Sequence, residues 1–249
     1  MTGEKTGMLM LLAILLWSPL FLQAGELLPA GSSGEADLVW SQGVGGRHVV
    51  LYSRLEKGKW RPVEQVSDDY RENLHPVVDR DSLGRSWIFW TALDDTGLAI
   101  RYTVGNQGNW SVPATVPSEL RSNIAPSVII DQADTVHVVW AGNDGGLDDI
   151  YHSLYSGGSW SDPERIHPEN HVPDVLPRVD IDAQGRVEVT WKQFRDGQYR
   201  LVRSVSRGTD GWTAPVLITA EQQQEKRFSE KVAVPDFVGS VEKAFVRMY

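Results

Sequence analysis

The chain has 249 residues, with 24 Lys and Arg against 33 Asp and Glu, a formal net charge of −9, ten Trp and no Cys. No basic block stands in it, so the positive footprint of a sequence-independent nucleic-acid binder is missing, and the same sign argues against attraction to anionic lipid. Cysteine chemistry is excluded, and an apolar share of 41% is that of a globular chain.

The first element is a leader. Lys5 precedes the apolar run "MLMLLAILLWSPLFL" from Met8 to Leu22, and Ala24 offers a small residue at a cleavage position. These features predict a signal peptide over 1–24 and export to a periplasm or the extracellular space. Fifteen apolar residues are short for a membrane span, so none is expected after cleavage; a retained anchor is the alternative.

Residues 25–249 read as one repeat. Trp40, Trp90, Trp140 and Trp191 each end a short apolar run, and Trp60, Trp110, Trp160 and Trp212 follow them at a nearly constant interval. Asp81, Asp131 and Asp182 precede the first series, and Pro76, Pro126 and Pro177 precede those aspartates. Each unit predicts four strands: A from Pro to Asp, B ending at the first Trp, C next, and D starting at the second Trp. The runs are short, rich in Val, Ile and aromatics, and bounded by Gly, Pro, Asp or Asn. Turns such as "DSLG" (Asp81–Gly84) and "DAQG" (Asp182–Gly185) join A to B, the carboxylate accepting backbone N–H groups and Gly supplying positive φ.

The units span about 26–66, 76–116, 126–166 and 177–218, with a partial copy at 231–249. In that copy Asp236–Gly239 repeats the turn and Phe245 takes the place of the strand-B Trp. Tandem four-stranded antiparallel units of this length predict an all-β fold, a β-propeller with four complete units and a partial fifth. The repeated tryptophans are then wedge-fillers between sheets.

The combination of "PxVxxDxxGxxxxxW" with a later "GxW" and Pro resembles the BNR or Asp-box repeats of sialidase-superfamily propellers, over about residues 26 to 249. The resemblance implies a propeller fold and a host of glycosidases, lyases, lectins and non-catalytic binding modules. No copy carries the full Ser-x-Asp-x-Gly-x-x-Trp box, and the nearest Arg-Ile string, "RIHP" at Arg165, does not match the sialidase position. No catalytic residue is carried over.

Chemistry is expected on the rim formed by the B–C and D–A loops, which are longer and more polar than the turns opposite. Its candidate ligand-binding residues are Asp69, Tyr70, Arg71, Asn73, Asp94, Asp95, Arg121, Asn123, Asp144, Asp148, Asp149, His171, Asp174, Arg195 and Asp196. Arg71 and Asn73 recur as Arg121 and Asn123, which reads either as forks for an acidic glycan or as caps on each loop. His167, His171 and Asp174 are the residue types of a metal cluster, but their spacing matches no zinc signature and they are expected in a solvated loop. The "DxDxxG" strings at Asp79 and Asp180 are expected as Asx-type turns rather than calcium loops. No cofactor and no metal are expected. The function expected is non-catalytic binding of a glycan or protein. The alternatives are a glycosidase or lyase on acidic sugars, and an assembly component self-associating through the partial blade.

Overall fold

The first unit opens with β1 (Ala36–Val44), β2 (Arg47–Glu56), β3 (Lys59–Trp60) and β4 (Glu64–Gln65). In this computed structural model, residues 34–68, 72–106, 108–219 and 244–249 are described. The second unit holds β5 (Glu72–Arg80), β6 (Ser86–Asp94), β7 (Gly97–Asn106), β8 (Asn109–Trp110) and β9 (Ala114–Thr115). The third holds β10 (Ser122–Ile130), β11 (Val136–Asn143), β12 (Asp149–Ser156), β13 (Ser159–Trp160) and β14 (Glu164–Arg165). The fourth holds β15 (Asp174–Ile181), β16 (Val187–Arg195), β17 (Gln198–Val205) and β18 (Val216–Leu217), and β19 (Ala244–Met248) ends the chain. The fold is all-β, and no described helix is long and apolar enough to cross a membrane.

Within each unit the long strands pair antiparallel, in the order β5-β6-β7, β10-β11-β12 and β15-β16-β17. One parallel bridge, Ser122 to Leu98, links the second unit to the third. The expected outer strand is divided, because Pro62, Pro113 and Pro163 interrupt it and proline donates no ladder hydrogen bond. Two short ladders flank each proline, such as Leu55 with Trp60 and Leu51 with Gln65. In the fourth unit the Trp212 ladder shrinks to one bridge with Ser206.

The innermost strands begin about four residues before the prolines where strand A was expected to start. Their register breaks between Leu74 and Val77, Ile124 and Ser127, and Val175 and Arg178. At each break a non-glycine residue takes positive φ: 52° at His75, 53° at Ala125 and 54° at Leu176. Each stands before a proline, which disfavours helical backbone. Strain of this kind costs on the order of 1 kcal/mol per site. Its recurrence makes it a property of the repeat.

The A–B turns form as their residues dictate. Asp81 Oδ1 accepts from Leu83 N at 3.1 Å and Arg85 N at 2.9 Å. Asp131 and Asp182 do the same for Ala133 and Thr135, and for Gln184 and Arg186. Gly84 and Gly185 carry φ of 75° and 77°, and Asp134 supplies 59° in their place.

Cores lie between successive sheets. Trp90 with Val39, Val50 and Tyr52 fills the gap between the first and second units, and Trp140 with Phe89, Ile100 and Val116 the next. Trp191 with Val139, Ile150 and Ile166 fills the gap between the third and fourth. All four first-series indoles are at most 1% exposed; Trp90, Trp140 and Trp191 take the wedge role expected of them, while Trp40 packs with Leu38, Leu51 and Trp60 of its own sheet. Truncating any one to Ala would cost about 3–5 kcal/mol. Among the described residues no such core joins the fourth unit to the first.

One strand departs from expectation. Phe245 was expected in strand B of a fifth unit, but β19 pairs antiparallel with β1, with Ala36 opposite Met248 and Trp40 opposite Ala244. It occupies in the first sheet the place that β5, β10 and β15 hold in the others. Phe245 packs against the core between the first and second units. Arg247 Nε lies 3.2 Å from Asp79 Oδ1, and the Arg80 guanidinium sits 4.0 Å over the Tyr249 ring. The first unit's own strand A near 26–31 and the turn at 236–239 lie outside the described residues.

Candidate functional site

A buried indole N–H needs an acceptor, and the repeat supplies one at the start of β5, β10 and β15. Trp90 Nε1 donates to Asn73 Oδ1 at 2.7 Å, and Trp140 Nε1 to Asn123 Oδ1 at 2.8 Å. In the fourth unit the acceptor is a carboxylate: Trp191 Nε1 donates to Asp174 Oδ1 at 2.6 Å. Gln193 Nε2 donates to the same oxygen at 2.8 Å, and Asn170 Nδ2 to Asp174 Oδ2 at 2.7 Å. Asp174 is fully buried.

Two further ionisable groups meet Asp174 there. His167 Nδ1 faces the Pro168 carbonyl at 3.0 Å, which places the ring proton on Nδ1 and the lone pair on Nε2. Nε2 accepts from Ile150 N at 3.2 Å, and lies 3.7 Å from Asp149 Oδ1 and 3.6 Å from Asp174 Oδ2. The imidazole stacks on Trp191, with ring centroids 5.4 Å apart. Asp149 Oδ2 accepts from Arg165 NH1 at 3.1 Å. Burial raises the Asp149 pKa against the pull of Arg165, and the neighbouring Asp174 charge adds to the rise. Asp149 and His167 come from the third unit and Asp174 from the fourth, so the cluster spans the seam between two sheets. His167 and Asp174 are therefore buried, not part of a solvated loop; only His171 is exposed. Three ligand atoms of Asp149, His167 and Asp174 lie within 4.8 Å of one another, a nitrogen and oxygen set of the kind that holds a divalent metal.

The loop between β11 and β12 carries an open patch. The Arg121 N–H bonds the Asn143 carbonyl at 2.8 Å, and its guanidinium lies against Gly145, where an added Cβ would sit 3.1 Å from Cζ. Gly145 has φ 122°, so only glycine seats the fork there without strain. Asp144 and Leu147 are exposed on the same loop, while Asn143 Nδ2 holds Asp148 Oδ1 at 2.9 Å.

The remaining candidates scatter. Asp94 is spent on its own turn, accepting from Thr96 N at 2.7 Å and Gly97 N at 3.1 Å, and the Thr96 bonds hold its carboxyl below the usual range. Asp95 and Asp196 are exposed, and Arg195 bonds the Gln193 side chain. Asn73 and Asn123 are buried as indole anchors. Asp69, Tyr70 and Arg71 lie outside the described residues. Sequence reasoning missed Arg165, Asn170 and Gln193 as partners of the buried acids; it grouped His167 with Asp174 but set both in a solvated loop and did not join Asp149 to them. The available signal was a break in the repeat, His167 standing where the first unit has Ser67.

The arrangement of sheets can be set beside known structures. A protein of unknown function from Dyadobacter fermentans superimposes with a TM-score of 0.58 at 12% identity, over 74% of this chain and 65% of that one. An endo-arabinase from Bacteroides thetaiotaomicron gives 0.50 at 14% identity, over 73% and 80%. A PL25 ulvan lyase gives 0.53 at 11% identity, over 70% of this chain and 50% of its own. The fold is of the β-propeller type. At these identities the likeness concerns the fold alone, and the chain spans less than two thirds of the Dyadobacter protein and of the lyase. No family and no curated protein matches the sequence.

Proposed function

We propose that the chain is an exported, four-bladed β-propeller module, related in pattern to sialidase-like repeats, that binds acidic glycans without turning them over. On this reading the four sheets are the blades, β19 supplies the innermost strand of the first, and the ligand meets the rim of B–C and D–A loops around Arg121. The observation that carries the reading is Arg121 itself. Its exposed guanidinium lies flat on Gly145 in a chain of net charge −9, with no carboxylate of the described residues within ion-pair distance. A preorganised fork of this kind suits a carboxylate or sulfate on a sugar.

Absence of turnover is supported by how the acids are used. Glycoside hydrolysis needs two carboxyl groups open to the substrate and flanking one bond. Asp149 and Asp174 are close together, but both are buried and bonded to protein donors. The fold neighbours supply the test ligands: ulvan and arabinan in affinity electrophoresis and calorimetry, with reducing-end and unsaturated-uronate assays alongside. Retention on the sulfated, uronate-bearing polymer without product release is expected. Arg121→Ala should weaken binding about tenfold or more, the equivalent of one charge-assisted hydrogen bond. Failure to bind any acidic polymer, or measurable turnover, overturns the reading.

A further inference from the structure

We propose that Asp149, His167 and Asp174 bind a divalent transition metal of the zinc class that cross-links the third unit to the fourth. The first support is how the repeat is broken. Ser67 Oγ caps Val50 N at 2.9 Å in the first unit, as His167 Nε2 caps Ile150 N in the third. Asn73 and Asn123 anchor their tryptophans through a neutral amide, as Asp174 anchors Trp191. Asp149 stands opposite Gly142, at the strand position held by Val49 opposite Gln42 and Ala99 opposite Ala92. At these places the earlier copies carry neutral residues, Ser67 and Pro117, Asn73 and Asn123, Val49 and Ala99, and here an imidazole or a carboxylate stands instead; the fourth unit has Arg200 at the Asp149 place. The three replacements converge on one point.

Charge balance gives the second support. Two buried carboxylates and an imidazole lone pair face one another, and the Arg165 guanidinium reaches only the outer oxygen of Asp149. Lone pairs so placed repel unless a cation lies between them. Separations of 3.6 and 3.7 Å from Nε2 to the two oxygens suit a common ion. Bonds of about 2.1 Å to such an ion would subtend roughly 120°. The outer contacts are those of metal ligands: His167 gives its other ring proton to a backbone carbonyl, and Asn170, Trp191 and Gln193 fix the Asp174 carboxylate. One imidazole with two carboxylates favours Zn²⁺ or Mn²⁺ over Ca²⁺, which takes oxygen ligands.

The test uses the tag-free full chain stripped with chelator, titrated with Zn²⁺, Mn²⁺ and Ca²⁺ by calorimetry and native mass spectrometry. One equivalent of Zn²⁺ should bind and raise the unfolding midpoint, and Co²⁺ should give a visible absorption band of a nitrogen and oxygen site. Asp174→Asn and His167→Ser install the residues that other units carry, so the sheets are expected to keep their near-ultraviolet dichroism. Each should weaken Zn²⁺ binding about 100-fold or more, beyond the loss of an outer partner. Uptake well below one equivalent by the wild type, or Zn²⁺ affinity unchanged in a folded Asp174→Asn, overturns the proposal. If a variant fails to fold, the wild-type stoichiometry and the Co²⁺ spectrum decide it.

Discussion

At the outer edge of the first and third units a glutamate reaches across to the next sheet. Glu64 Oε2 accepts from Trp110 Nε1 at 2.6 Å and from Gly108 N at 2.8 Å, and Glu164 Oε1 accepts from Trp212 Nε1 at 2.8 Å. The second unit has Ala114 at this place, and Trp160 Nε1 is buried without a partner among the described residues. Ala114→Glu supplies the missing acceptor at a position paired with Tyr102, as Glu64 is paired with Tyr52. Relieving an unsatisfied buried donor is worth about 1–3 kcal/mol. Ordering the glutamate side chain offsets up to about 2 kcal/mol of this. The net expectation is a gain of about 1 kcal/mol, or roughly 2–4 °C in a domain of this size. Urea unfolding followed by tryptophan fluorescence measures it, with Ala114→Met as the control that adds apolar volume but no acceptor. If the glutamate variant is no more stable than the methionine variant, the inter-sheet hydrogen bond contributes nothing and the reasoning fails.

Three other outcomes follow from the packing. His137 and His152 stack in the third sheet with Nδ1 and Nε2 3.1 Å apart, and burial, then His152, hold the His137 pKa down against Asp131. A depressed folded pKa gives stability that is full above about pH 6.5, the unfolded value, and is lost as pH falls through the folded one. The wild-type urea midpoint should therefore drop between pH 7.5 and 5.5, and His137→Gln should flatten that slope; parallel slopes refute the assignment. Asp37 is buried with Arg54 Nε at 2.9 Å and Arg80 NH2 at 2.9 Å, so Asp37→Asn should cost about 3 kcal/mol in the same assay. Deleting residues 244–249 uncovers the β1 edge and removes the Arg247–Asp79 pair, and it should lower the midpoint and promote association seen by light scattering.

Much of the architecture is legible from local signals. The tryptophans, the Asp turns and the Gly positions fix where strands start and stop, because turn chemistry and burial act over a few residues. What escapes is non-local. Nothing near Phe245 reveals that its strand pairs with one about two hundred residues earlier, since a single apolar run fits an inner strand of any sheet. The pre-proline bulges escape as well, because the local preference at His75, Ala125 and Leu176 is for extended backbone. Asp149 and Asp174 are readable as acids of the B–C and D–A loops, but their burial depends on the seam between two sheets, which no single unit contains. Arg121 was legible as a fork, while its recurrence with Asn123 concealed that the two side chains part, one to solvent and one to an indole.

Equivalent places in a repeat share backbone geometry, so a change of residue there isolates the chemistry of a side chain. Ala114 in place of Glu64 or Glu164 removes an acceptor and leaves Trp160 short of a partner, a loss with no matching gain nearby. The changes at the third seam differ in kind. A carboxylate at Asp174 does for the Trp191 indole what the neutral amides of Asn73 and Asn123 already do for theirs, and its stronger hydrogen bond comes with a buried charge. Asp149 brings a second, and His167 turns its lone pair toward both. Each substitution taken singly makes the interior more costly than the repeat requires. Taken together they form a nitrogen and oxygen set whose members become favourable only when a cation joins them, which is why the seam rather than any one loop carries the chemistry.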